Sequence, residues 1–217
     1  MIQHHPQDEF LLALAAGALP PGQGLLVSIH LETCGECRAR LHALQAVGGA
    51  LLDEAEPQLL APESLSRTLE RIDAPAAAPA PGPRAFEGPA LPADVHWPAS
   101  LRGCTISRWR WMGPGMRYAR ITLPQEKAGA LWALQIGPGM SLARHTHTQM
   151  ELTYVLCGSF DDGRSVFGPG DFDATDPDVL HQPVVHEGAV CVCLAYVEGR
   201  LRFENPLAGL IAGWVGM

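Results

Sequence analysis

The chain has 217 residues, of which 47% are apolar and 18% charged, the balance of a globular protein with a buried core. A net charge of −8 argues against nucleic acid as a direct ligand. No apolar run reaches the roughly 20 residues that cross a bilayer, so a membrane partner is not expected.

The acidity is uneven, because residues 1–73 carry ten Asp and Glu against four Arg. Met1-Ile2-Gln3-His4-His5 lacks the basic start and apolar centre of a signal peptide, and the expectation is a cytoplasmic protein. In a reducing compartment a C-x2-C pair beside a histidine favours metal over disulfide.

Helical spacing runs from residue 6 to residue 72. Pro6-Gln7-Asp8 is a start signal, Phe10, Leu11 and Leu14 follow on one face, and Gly17 is a stop. Pro20-Pro21-Gly22 opens a second helix through Leu25, Leu26, Ile29 and His30. A third helix is predicted over 36–52. Between 41 and 52 its only polar side chains are His42 and Gln45, a pattern that requires burial in its own domain or against a partner. A fourth is predicted over 63–72. Four short helices make a thin core, the size class in which a structural metal helps most.

The joint between the second and third helices reads His30-Leu-Glu-Thr-Cys34-Gly-Glu-Cys37, an H-x3-C-x2-C cluster. One imidazole and two thiols within eight residues are three quarters of a tetrahedral zinc shell, and His4 or His5 can supply the fourth ligand. The plainer alternative is a pair of buried or redox-active thiols beside a helix-end histidine.

Residues 74–95, with Pro and Ala alternating over much of their length, read as a stiff linker that neither continues a helix nor joins a sheet. From residue 96 to 205 the pattern changes to short strands parted by Gly, Pro and Asp turns. Strands are predicted over 105–109, 116–123, 130–136, 151–157, 165–167, 171–174, 180–184 and 190–197. Residues 206–217 form a tail. The fold class is therefore α + β with two domains: a small helical bundle with structural zinc, then an all-β jelly-roll barrel.

Inside the predicted barrel, His145 and His147 share one face of an extended segment, and Glu151 follows across a short bend. His181 comes ten residues after the Pro169-Gly170-Asp171 turn and is the fourth candidate ligand; its neighbour His186 reads as a surface residue. Three imidazoles and one carboxylate suit Zn, Mn, Fe, Ni or Cu. Cys191 and Cys193 alternate onto one face of the last long strand. They read as small core hydrophobes, with the metal cavity as the other place they can point.

The spacing G-x5-H-x-H-x3-E-x6-G from Gly139 to Gly158 resembles the first cupin signature. The second signature fits at Gly163, Pro169-Gly170-Asp171 and His181, but lacks the usual following asparagine. The H-x3-C-x2-C cluster resembles a zinc-binding anti-sigma domain, and the whole arrangement resembles the ChrR family of anti-sigma factors. The resemblance implies zinc at His5, His30, Cys34 and Cys37, and a second divalent metal (zinc in the family) at His145, His147, Glu151 and His181. Cys191-x-Cys193 matches a pair in that family. It further implies that residues 1–73 sequester an extracytoplasmic-function type sigma factor, and that the cupin half releases it under singlet oxygen or related stress. Such a protein is a regulator rather than an enzyme. The competing reading is a cupin dioxygenase or isomerase acting on a small molecule, and a homodimer through the barrel stays open.

Overall fold

The structure, a computed structural model, describes residues 1–74 and 88–206. Most of the expected linker and all but the first residue of the expected tail thus lie outside the described residues. Four helices come first: α1 (Asp8–Ala15), α2 (Pro21–Thr33), α3 (Gly35–Asp53) and α4 (Ser64–Asp73). Pro21 occupies the first turn of α2, where a missing N–H costs nothing. Cys34 ends α2 and caps α3, its sulfur accepting from the Cys37 amide at 3.4 Å. No helix among the described residues is long and apolar enough to cross a membrane.

Twelve strands follow among the described residues: β1 (Thr105–Ile106), β2 (Arg110–Gly113), β3 (Met116–Thr122), β4 (Gly129–Ile136), β5 (His145–His147), β6 (Glu151–Cys157), β7 (Phe160–Asp161), β8 (Val166–Phe167), β9 (Phe172–Thr175), β10 (Val184–Val185), β11 (Cys191–Glu198) and β12 (Leu201–Phe203). The main sheet runs β1-β3-β4-β11-β6-β9, with β2 also on β3. Smaller sheets are β10-β7-β8 and β12-β5. All named pairs are antiparallel.

Two expected strands are corrected. The segment 105–109 breaks after Ile106, because Ser107 turns to Arg120: its amide donates to the Arg120 carbonyl at 2.9 Å and its hydroxyl accepts from the Arg120 amide. The segment 180–184 is strand only at its end. His181 instead forms an isolated bridge with His145, which brings two expected ligands together.

The central strand β11 is buried from Cys191 to Val197, because both faces of the sheet are covered. Cys193, Ala195 and Val197 face the inside of the barrel with Tyr118, Trp132 and Val155. Leu194 and Tyr196, on the opposite face by the period of two, join Leu131, Leu152, Tyr154 and Phe172 under Phe10, Leu11, Leu26 and Ile29 of α1 and α2. The helical half therefore has no separate core; it shares one with the outer face of the sheet. Gly22 marks the closest approach, since a Cβ there would run into the Tyr196 ring, and its amide donates to Glu126 at 2.6 Å.

The expected four-helix core is also corrected, because α4 contributes nothing to it. None of its residues is buried, and Leu65, Leu69 and Ile72 are exposed on a single stripe. Along α3 only Cys37 is fully buried, while Val47, Leu51 and Leu52 face outward. Leu26 is completely buried and Leu60 is 81% exposed. Leu26→Ala should accordingly cost about 2–5 kcal/mol in denaturant unfolding, and Leu60→Ala less than about 0.5 kcal/mol. Equal effects would contradict the shared core.

Candidate metal centres

The first centre gathers His5, His30, Cys34 and Cys37, whose ligand atoms all lie within 4.8 Å of one another. The α2–α3 elbow sets three of them. His30 is on the last turn of α2, and the cap residue Cys34 and Cys37 on the first turn of α3 point back to it. His5 comes from the N-terminal segment, its Nδ1 standing 3.4 Å from both sulfurs. His4 goes elsewhere: its ring lies 4.5 Å from that of Phe167, and its Nε2 is 3.1 Å from the Val166 carbonyl.

His30 is buried, and its Nδ1 donates to the Gly170 carbonyl at 3.0 Å. That bond places the proton on Nδ1 and leaves Nε2 with a bare lone pair, buried and without a hydrogen-bond partner among the described residues. Burial lowers the His30 pKa to about 4, against the raising effect of the Gly170 bond. Burial and the neighbouring Cys34 push the Cys37 thiol up to about 12. Orphaned imidazole nitrogen and paired thiols are the donor set of a structural zinc site.

The N-terminal segment that carries His5 is itself held by the sheet domain. Asp171 accepts from the amides of Gln3 (2.7 Å) and His4 (3.0 Å) through one oxygen and from Gly168 (2.8 Å) through the other. The Phe172 amide donates to the His4 carbonyl at 3.0 Å.

The second centre gathers His145, His147, Glu151 and His181, all buried, again with ligand atoms within 4.8 Å. The β5 alternation points His145 and His147 inward, β6 begins at Glu151, and the bridge to His145 brings in His181. His145 Nδ1 donates to the Ala143 carbonyl at 2.8 Å, which turns its Nε2 lone pair to the centre, 3.2 Å from His181 Nε2. His147 Nε2 stands 2.8 Å from Glu151 without hydrogen-bond geometry, and both its ring nitrogens are buried without hydrogen-bond partners among the described residues. Burial alone would raise the Glu151 pKa, but His147, His145 and His181 hold it below the ordinary carboxylate range. Burial lowers that of His145. Three imidazoles and one carboxylate converging in this way are a donor set that fits a divalent metal.

The group opens onto a chamber of about 30 Å³, lined by His145, Glu151 and His181 together with Leu134, Cys191, Cys193 and Ala195. It has room for about one water-sized molecule. Cys191 and Cys193 thus satisfy both readings, as buried core thiols and as chamber wall; burial pushes Cys191 up to about 12. His186 is exposed and bonded to Ser159, outside the group.

Sequence reasoning missed the support around His181. The buried Asp162 carboxylate stands 3.6 Å from His181 Nδ1 and pairs with Arg164, which also bonds Asp173 at 2.6 Å. Asp161-Asp162-Gly163 had the signature of a turn and nothing more. Gly158 closes the motif because it sits at φ 71° and a Cβ there would collide with the Val190–Cys191 backbone.

Comparison with known proteins places these centres in context. Residues 102–198 match the family described as ChrR Cupin-like domain. Over 212 residues the chain is 39% identical to Anti-sigma-E factor ChrR of Cereibacter sphaeroides, covering 97% of this chain and 96% of that protein. The crystal structure of Rhodobacter sphaeroides SigE in complex with the anti-sigma ChrR matches with a TM-score of 0.72 at 36% identity, over 91% of this chain and all of that one.

The pKa directions for His30 and Cys37 bear on the protons exchanged at the first centre. At pH 7 His30 is already neutral, because its pKa lies near 4, and gives up nothing. Each cysteine binds as the thiolate. Zinc uptake by the metal-free chain should therefore release about two protons per ion at this centre, read with a pH indicator in weak buffer. Release unchanged in a Cys34→Ser, Cys37→Ser variant would contradict the assignment.

Proposed function

Because the chain belongs to the ChrR family of anti-sigma factors, we propose that it holds an extracytoplasmic-function type sigma factor inactive and releases it on oxidative stress of the singlet oxygen type. The chain acts as a regulator, not an enzyme. Cytoplasmic residence follows from such a partner.

The observation that carries the reading is the apolar surface of the helical half, which nothing among the described residues covers. Val47, Leu51 and Leu52 on α3, with Leu65, Leu69 and Ile72 on α4, are all exposed. On α4 the spacing is i, i+4, i+7, one stripe of a helix that otherwise reads as polar. Apolar stripes of this kind cost solubility unless a partner covers them. They lie within the part of the chain that carries most of the negative charge, which complements the basic DNA-reading surface of a sigma factor.

Zinc at His5, His30, Cys34 and Cys37 would lock the α2–α3 elbow and so present the outer end of α3. A divalent metal at His145, His147, Glu151 and His181 would form the sensing end. The small chamber that these ligands line favours a small oxidant over a substrate of metabolite size. When bound, that metal supplies a Lewis-acidic centre. The protein's own residues hold its ligands in place and keep bulk water out.

The test is co-purification of the full chain with its cognate sigma factor. Leu65→Asp with Leu69→Asp should weaken the complex by at least about tenfold with the melting temperature unchanged, since both residues are exposed. Zinc chelation should also dissolve it. Glu151→Gln should leave the complex intact and abolish its release by oxidant. Full binding by the double Asp variant sinks the assigned face, and a normal oxidant response of Glu151→Gln sinks the sensing role.

A further inference from the structure

A second recess opens on the inner face of the main sheet, lined by none of the candidate metal ligands. It is a groove of about 320 Å³ whose walls include Ser107, Arg110, Tyr118, Arg120, Thr122 and Trp132. Register explains why these residues meet. Arg110 pairs with Tyr118, Arg120 with Trp132 and Thr105 with Thr122, and residues directly opposite one another share a face.

The groove sits in the one strongly basic stretch of an acidic chain. Between Asp94 and Glu126 the sequence holds five arginines and no carboxylate. Arg110 and Arg120 are exposed, and neither belongs to an ion pair among the described residues. The Arg120 guanidinium lies 5.2 Å from the centre of the Trp132 ring, and that ring meets Tyr118 edge-on at 5.7 Å.

Trp132 supplies an independent sign. It is 1% exposed, and its indole Nε1 is buried with no hydrogen-bond partner among the described residues. A buried N–H left this way is rare in folded proteins and calls for an acceptor. The groove walls carry two guanidinium groups and no carboxylate, so an oxyanion there would meet no negative charge. The Ser107 hydroxyl is already spent on the Arg108 carbonyl and shapes the wall rather than binding.

We propose that this groove binds a small organic oxyanion, a carboxylate or a phosphate ester. Arg110 and Arg120 hold its oxygens, the indole N–H of Trp132 donates to it, and the Tyr118–Trp132 pair forms the apolar wall for its organic body. Guanidinium groups suit such ligands because their planar forks match two oxygens at once. The position also matters: Tyr118 and Trp132 are the cross-strand partners of Leu134 and Ala195, which line the chamber beside the second metal group. A bound ligand would press on a wall that the two cavities share.

The experiment is a two-dimensional 15N–1H spectrum of the indole N–H groups of the full chain, titrated with benzoate and with phenyl phosphate, and with sodium chloride as the control. Trp132→Phe, or substitution of the other four tryptophans in turn, identifies the Trp132 signal. At least one titrant should move that signal saturably, and which one does so names the oxyanion. Arg110→Gln and Arg120→Gln should each weaken binding by at least about tenfold, with zinc content and the remaining indole signals unchanged. No saturable shift with either compound overturns the proposal, as does an equal shift with sodium chloride or equal affinity in both Gln variants.

Discussion

The seating of α1 and α2 on the outer face of the main sheet is the contact on which the rest of this structure depends. Phe10, Leu11, Leu26 and Ile29 cover Leu194 and Tyr196, so a strand that would otherwise expose every second side chain is buried on both faces. A helical segment of this length cannot bury enough apolar surface on its own to offset its conformational entropy. Borrowing the sheet removes that difficulty. It also frees α4 and the outer end of α3 from any duty in the core, which is why their leucines remain available to a partner.

The same seating joins the two metal centres. His30 is held in its ligand tautomer by a carbonyl of the sheet domain, Gly170, and the segment bearing His5 is pinned by Asp171 and Phe172. Residue 170 is also tied to β6, where its amide donates to the Val155 carbonyl at 2.9 Å. β6 begins at Glu151, a member of the second centre, and carries Tyr154, whose hydroxyl lies 3.2 Å from that of Thr33 at the end of α2. A change at Glu151 therefore has a short, packed route to the α2–α3 elbow, through one strand and one turn. Coupling of this kind needs two discrete arrangements of the packed elements, and the hydrogen bonds at 168–172 are where they would differ.

Much of this was legible in the sequence. Three of the four zinc-type residues lie within one helical joint, where spacing alone dictates a meeting. His145, His147 and Glu151 likewise lie close in sequence, on two consecutive strands, β5 and β6, that belong to different sheets. Long-range features were harder. His5 rather than His4 faces the thiols because the backbone of residues 3 and 4 is captured by Asp171, some 167 residues away in sequence. The Asp162–Arg164–Asp173 support reads locally as a turn. The apolar pattern over 41–52 announced burial, and its exposed end shows that such a pattern does not say whether the cover comes from the same chain. Two strands were misjudged because the Ser107 hydroxyl takes a ladder bond from the Arg120 amide, and because His181 pairs with His145 as a single isolated bridge rather than a continuous ladder.

Amide hydrogen exchange on the full chain, compared with its Glu151→Gln variant, tests the joined-centre account most directly. Glutamine matches glutamate in shape but not in charge, so the variant disturbs the second centre with little effect on packing. The account predicts faster exchange at residues 2–5, at the end of α2 around His30, and at 168–172, alongside the change near the substitution. Faster exchange confined to the residues around 145–151 and 181, with the helical half unaltered, would contradict it.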